Sequence, residues 1–275
     1  MEILREAAEM TRWSRARRDQ GQALAFVPTM GFLHAGHASL MDIARDHCER
    51  VVVSIYVNPL QFGPTEDLSR YPRDVEGDLA TCRAHGVSAV FLPETLYEPG
   101  FCTTVSLTGP SRGLCGARRP GHFDGVATVV ARLFGLVQPR VAVFGEKDWQ
   151  QLAVIRRMVR DLALEVEIVG GPLVRDHDGL ALSSRNRYLS PAERTRALSL
   201  SRALNAMQAS GLTEVSALCA LGRSLLDVDR LDYLEVVEAE HLTPLAVLDR
   251  PARALVAAYV GSTRLIDNLP LEPRP

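Results

Sequence analysis

The sequence predicts an α/β fold, a doubly wound parallel sheet followed by a smaller C-terminal α+β unit. Three observations carry that expectation. Short, predominantly apolar runs at residues 23–27, 51–57, 89–92, 141–144 and 166–169 read as strands buried on both faces. Helical spacing fills the intervals between them, and strands separated by helices call for parallel pairing with right-handed crossovers. From about residue 175 the alternation gives way to two helical stretches and then three strand-like runs.

In order along the chain, the run 23–27 lies between Gly21 and Pro28, and after His37 the residues Leu40, Ile43, Ala44 and His47 fall at helical spacing. The strand at 51–57 precedes a helix over 75–85 and a short strand at 89–92. A helix over 125–137 leads to the strand at 141–144, and one over 151–162 leads to the strand at 166–169. In the C-terminal part, 191–209 and 213–226 have amphipathic helical patterns, while 231–237, 254–260 and 263–266 read as strands. A chain of 275 residues has room for two domains, burying roughly 70–75% of its unfolded surface. We place them at 1–174 and 175–275.

Composition narrows the function. A net charge of −2, from 31 basic and 33 acidic residues, argues against a nucleic-acid or anionic-membrane surface and favours small-molecule partners. The five cysteines are scattered with no CxxC pair, so neither a disulfide framework nor a zinc site is expected. The amino terminus mixes charges from the start, and no run approaches the ~20 apolar residues of a membrane span. A cytoplasmic protein is the expectation.

Ligands of doubly wound sheets sit at the carboxyl ends of the strands, and four loops lie there. The first is Pro28-Thr29-Met30-Gly31-Phe32-Leu33-His34-Ala35-Gly36-His37. Its glycines let backbone approach a ligand, the helix that follows offers N-terminal N–H groups to an anion, and His34 and His37 can face one point. A phosphate site, in which the imidazoles bind or protonate phosphate oxygens, fits this pattern. A helix capped by two polar residues fits it equally, whereas two histidines without a nearby acid or cysteine make a poor metal ligand set. Asn58-Pro59-Leu60-Gln61-Phe62-Gly63 and Gly145-Glu146-Lys147-Asp148-Trp149-Gln150-Gln151 follow two further strands and carry amides and a lysine. In the fourth loop, Ser183-Ser184-Arg185-Asn186 combines hydroxyl donors with an arginine fork suited to polyphosphate.

Together with Tyr71-Pro72-Arg73, Arg119-Pro120-Gly121-His122-Phe123, Leu182 to Leu189 and the closing Thr263 to Asn268, these blocks resemble the pantothenate synthetase family, the pantoate–β-alanine ligases, in order and spacing over nearly the whole chain. The resemblance implies a Rossmann-like domain under a C-terminal lid, in the group that includes class I aminoacyl-tRNA synthetases. It also implies a two-step reaction: pantoate carboxylate attacks ATP to give pantoyl adenylate and pyrophosphate, and the amine of β-alanine then displaces AMP.

By the same resemblance, His37 is the proton donor to growing phosphate charge, with His34, Lys147 and Arg185 beside it. ATP contacts are expected from Met30, Gly31, Phe32, Leu33, His34, Ala35, Gly36 and His37, from Gly145, Glu146, Lys147 and Asp148, and from Val174, Leu182, Ser183, Ser184 and Arg185. Gly145, Val174 and Leu182 would serve adenine through main-chain groups. Gln61 and Gln151 are matched to pantoate and Gln61 also to β-alanine, with Phe62, Val129 and Val130 as an apolar wall or as ordinary core. Asp78 is the expected Mg²⁺ ligand. Relatives are homodimers. A nucleotidyltransferase of the nicotinate-mononucleotide type is the alternative, since it shares the HxGH signature, and a non-catalytic nucleotide-binding module is a further one.

Overall fold

The computed structural model describes residues 1–64 and 66–273. Six strands form one parallel sheet: β1 (Glu2–Leu4), β2 (Leu24–Thr29), β3 (Arg50–Ile55), β4 (Ala89–Phe91), β5 (Val141–Gly145) and β6 (Glu167–Gly171), in the order β1-β4-β3-β2-β5-β6. From the centre, the chain winds one way through β3 and β4 and the other way through β5 and β6. The switch point therefore lies between β2 and its neighbours, above the carboxyl end of β2, where such sheets leave a crevice.

Alternation along each strand explains why the runs are apolar throughout. Leu24, Phe26, Val52, Ala142 and Phe144 face one layer, which holds α1 (Ala7–Asp19), α5 (His122–Val137) and α6 (Trp149–Asp161). Ala25, Val27, Val51, Val53, Val141 and Val143 face the other, against α2 (Ala35–His47) and α3 (Val75–Ala84). Both sets are buried, so neither face tolerates polar alternation.

Beyond the sheet, α7 (Pro191–Ala209) and α8 (Val215–Ser224) pack on one face of an antiparallel three-stranded sheet made of β7 (Arg230–Glu238), β8 (Ala252–Val260) and β9 (Thr263–Leu271). The opposite face of this sheet supplies Tyr233, Val237, Leu255 and Ala257 to the same apolar cluster as α5 and α6. Among the described residues no helix is long and apolar enough to cross a membrane.

Several elements differ from the sequence expectation. The edge strand β1 and helix α1 are additional; α1 is rich in arginine and buries only Met10, Trp13 and Ser14, so its apolar stripe is thin. A five-residue helix, α4 (Leu114–Arg118), is also additional. Helix α5 starts three residues early, at His122, and α6 starts at Trp149, which puts Gln150 and Gln151 in its first turn. Strand β9 continues past Ile266 to Leu271 because the polar residues that interrupt its pattern are themselves partnered. Asp267, 3% exposed, pairs with Arg175 at 2.7 Å, and the Asn268 amide donates to the carbonyls of Glu146 and Lys147 at 3.0 and 2.9 Å.

Candidate active site

The turn after β2 is fixed from below. Thr29 Oγ1 donates to Ser54 O at 2.7 Å and accepts from Gly31 N at 3.1 Å. Gly31 has φ +81°, and a Cβ there would lie 2.9 Å from both Asp78 Oδ2 and Ile55 Cγ2, so only glycine fits. Asp78, on α3 and 3% exposed, accepts from Phe32 N at 2.9 Å and Leu33 N at 2.6 Å.

Helix α2 then begins with both histidines engaged at its first turn. His34 Nδ1 accepts from Gly36 N at 3.1 Å, and His37 Nδ1 accepts from His34 N at 3.3 Å. In each ring the accepting nitrogen carries no hydrogen, so a neutral imidazole holds its proton on Nε2. Capping and ligand binding are thus compatible: the caps use Nδ1 and leave two Nε2–H donors, on rings whose centroids are 4.1 Å apart.

Burial, then the nearby Lys147, holds the His34 imidazole down to about 4. Burial, then His34 and Lys147, holds His37 to about 3. His122 is lowered to about 4 by burial and by Arg119. All three are neutral at pH 7 in the native chain. On acidification the unfolded chain protonates these histidines near its ordinary pKa of about 6.5, whereas the native chain does not until about pH 4. Stability is therefore expected to fall as pH drops through that window. Urea unfolding of the ligand-free protein at a series of pH values checks this, and a midpoint that stays flat from about pH 7 to about pH 5 would contradict the three neutral imidazoles.

A cavity of about 220 Å³ opens at the carboxyl ends of β2, β3 and β5. Its basic side carries His34, His37, Lys147, Ser183 and Arg185; its amide side carries Gln61 and Gln151, with Phe62, Val129 and Val130 between. The two valines are 6% and 4% exposed, line this cavity and also belong to the core. Gln61 is oriented: its Oε1 accepts from Asn58 Nδ2 at 3.0 Å, so its Nε2 is the donor end, with Met30 Sδ 3.2 Å away. Asn58 is held in turn by Tyr97 Oη at 2.7 Å and by the Gly125 carbonyl at 3.1 Å. At Gly125 a Cβ would stand 2.2 Å from Leu60 O, so glycine alone permits α5 to sit this close to the Gln61 loop.

On the basic side Arg185 is engaged by Asp67 through Nε at 2.9 Å and Nη2 at 2.8 Å, an edge-on fork outside which Nη1 remains. Ser184 Oγ donates to Phe32 O at 3.4 Å, whereas Ser183 Oγ caps the short 3₁₀ turn Ser184–Tyr188 by accepting from Arg185 N at 3.3 Å, an arrangement that leaves its own proton for a ligand. A second cavity of about 500 Å³ adjoins the first at Arg119, His122, Lys147, Asp148, Gln151 and Arg185 and runs toward β7 and β9.

Of the residues expected at ATP, the first cavity is lined by Met30, His34, Gly36, His37, Gly145, Lys147, Asp148, Val174, Leu182, Ser183, Ser184 and Arg185. Gly31, Phe32, Leu33 and Ala35 shape the turn without lining that cavity. Glu146 turns its carboxylate to Arg253 at 2.7 Å. Asp78 does not line this cavity: each of its oxygens accepts a backbone N–H group, which fastens the turn, and the residue borders a neighbouring cleft that shares Met30 and Tyr56 with the first. Among the described residues, no group of three or more His, Cys, Asp or Glu side chains could hold a metal ion.

Sheet, crevice and HxGH turn together define a doubly wound α/β protein with its ligand crevice at the carboxyl end of β2. The family model for pantoate-beta-alanine ligase matches residues 2–270, and the chain belongs to that family. It is 56% identical to the pantothenate synthetase of Myxococcus xanthus (strain DK1622), over 98% of this chain and 96% of that one. A crystal structure of pantothenate synthetase from Thermus thermophilus superposes with a TM-score of 0.93 at 49% identity, covering 99% of this chain and 100% of that one. A pantoate-beta-alanine ligase from Francisella tularensis, complexed with beta-gamma ATP and beta-alanine, gives 0.81 at 30% identity, covering 98% and 97%.

Proposed function

We propose that this chain condenses (R)-pantoate with β-alanine, consuming ATP and releasing AMP and pyrophosphate, through a pantoyl adenylate. One observation carries the reading: a single cavity sets a basic, donor-rich end against an amide-lined end with an apolar wall. Carboxylate and triphosphate repel, so in-line attack on the α-phosphorus needs fixed donors and cations. The Nε2–H groups of His34 and His37, the Lys147 ammonium, Ser183 Oγ and Arg185 Nη1 supply them. Because both imidazoles are neutral and His37 Nδ1 accepts from His34 N, His37 acts as a hydrogen-bond donor through Nε2–H, a contact that strengthens as charge grows on the phosphate oxygens while pyrophosphate leaves.

Gln61 Nε2 and Gln151 hold the oxygens of pantoate, while Phe62, Val129 and Val130 receive its branched carbons. In the second step the amine of β-alanine attacks the acyl carbon and the C–O bond to AMP breaks. Main-chain groups of Gly145, Val174 and Leu182 serve adenine. The C-terminal part closes the site against water, which would otherwise hydrolyse an acyl adenylate. Any magnesium that accompanies ATP takes no ligand from Asp78 in this reading. We also propose that the protein works as a cytoplasmic homodimer, on the strength of the family resemblance.

The mononucleotide adenylyltransferase alternative is not favoured by membership of the ligase family. Incubating the protein with ATP, Mg²⁺ and pantoate and following pyrophosphate tests the reading. Release that depends on pantoate is the expected result; release with nicotinate mononucleotide and none with pantoate would overturn it.

A further inference from the structure

His122 stands at the junction of the two cavities, where an imidazole invites assignment as a second general base. Its hydrogen bonds say otherwise. His122 Nδ1 lies 2.8 Å from Gln61 O, and a carbonyl oxygen only accepts, so Nδ1 carries the proton. His122 Nε2 lies 2.9 Å from Arg119 Nη1, and a guanidinium only donates, so the remaining lone pair of the ring is already taken. The two contacts independently require the same neutral tautomer.

Arg119 is itself fixed. Glu66 receives its Nε and Nη2, both at 2.7 Å, and Nη2 reaches Gln61 O at 3.3 Å. The Gln61 carbonyl is thus gripped by two donors that arise from the start of α5 and the residues just before it. Gln61 is buried, and its side-chain amide is oriented separately by Asn58. Backbone and amide are therefore fixed by different partners, and both must be held for Nε2 to present its hydrogen at one place in the cavity.

We propose that Arg119 and His122 are positioning residues for Gln61, with His122 serving as a neutral Nδ1–H clamp on the Gln61 carbonyl and Glu66 anchoring the arginine. The inference rests on the reading of Gln61 as a pantoate contact. Burial and the adjacent guanidinium keep the ring neutral, in agreement with the tautomer.

Amide isosteres separate a clamp from general packing. In His122→Asn the side-chain N–H can stand where Nδ1–H stood; in His122→Gln it stands at Nε2, facing the Arg119 guanidinium. Steady-state kinetics should show KM for pantoate raised about tenfold or more in His122→Gln and His122→Ala, with KM for ATP within about twofold, since the buried Gln61 carbonyl is left with only the 3.3 Å contact from Arg119 Nη2 and the loop that carries Gln61 shifts. His122→Asn should stay within about threefold of the parent in KM for pantoate. Equal KM values for pantoate in the Asn and Gln variants would overturn the clamp. Where His122→Ala does not fold, the Asn and Gln pair still decides. The imidazole ¹⁵N shifts of His122 in the parent protein give a second readout: a protonated Nδ1 and bare Nε2 are expected, and the opposite tautomer overturns the proposal. Gln61→Ala run alongside distinguishes the two levels. If it leaves KM for pantoate unchanged, the reading of Gln61 fails; if it raises KM while His122→Gln does not, the clamp alone fails.

Discussion

Replacing His37 with alanine is expected to slow pantoate-dependent pyrophosphate formation about 10²–10³-fold, the usual effect of removing one preorganised donor to developing oxyanion charge. The direction follows from the tautomer. His34 N donates to His37 Nδ1, so the only hydrogen the ring can offer is on Nε2, which faces the cavity. If that hydrogen bond strengthens as charge grows on the phosphate oxygens, kcat falls and KM for ATP changes little. Removing the ring also leaves His34 N without its cap, at a cost of about 0.5–2 kcal/mol of stability, so a small fall in melting temperature should accompany the loss of rate. His37→Gln, whose amide N–H can stand near Nε2, should recover part of the rate. Full activity in His37→Ala would defeat the role assigned to that imidazole.

Asp78→Ala carries the second large effect, and it falls on stability and activity together. The carboxylate is buried, and Phe32 N and Leu33 N have it as their acceptor while the chain turns through φ +81° at Gly31 and +52° at Phe32. Two half-buried N–H groups without acceptors cost up to about 1–3 kcal/mol each, and the turn they fasten leads directly into the His34 cap. Chemical unfolding should register a loss of that order, with the rate of adenylation falling as well. Asp78→Asn, which keeps one accepting oxygen, should be intermediate. Titrating Mg²⁺ separates a structural role from a metal ligand: the structural role predicts that excess Mg²⁺ restores nothing, whereas recovery of Asp78→Asn at high Mg²⁺ would return the residue to the metal.

The parallel sheet was legible because every internal strand is buried on both faces and so reads as an apolar run. The order of the strands also placed the loops, since the carboxyl ends of β2, β3 and β5 are where the motif residues gather. Less legible were elements whose stability is not written in local periodicity. β1 is three residues at a sheet edge, and α1 buries one narrow stripe. Asp267 and Asn268 read as the end of a strand because their partners, Arg175, Glu146 and Lys147, lie about a hundred residues away in sequence.

The same limit applies at the site. The Arg119 block stood out as a motif, but nothing local assigned it to Gln61, and Glu66 is 53 residues from Arg119. Asp67 is 118 residues from Arg185, so the sequence presented that arginine as free for phosphate when one of its edges is already held. Neighbouring glutamines show how finely position decides. Gln150 is 4% exposed, accepting from Cys115 N and donating to Pro110 O, while Gln151, one step around α6, lines the cavity.

The central chemical step is attack of a carboxylate on the α-phosphorus in this cavity. Pantoate labelled with ¹⁸O in its carboxylate, incubated with the protein, ATP, Mg²⁺ and β-alanine, tests that step by mass spectrometry of the AMP formed. An acyl adenylate must leave one carboxylate oxygen on phosphorus when the amine attacks the carbonyl, so AMP carrying a single ¹⁸O is the predicted result. Pantothenate formed together with unlabelled AMP would contradict it.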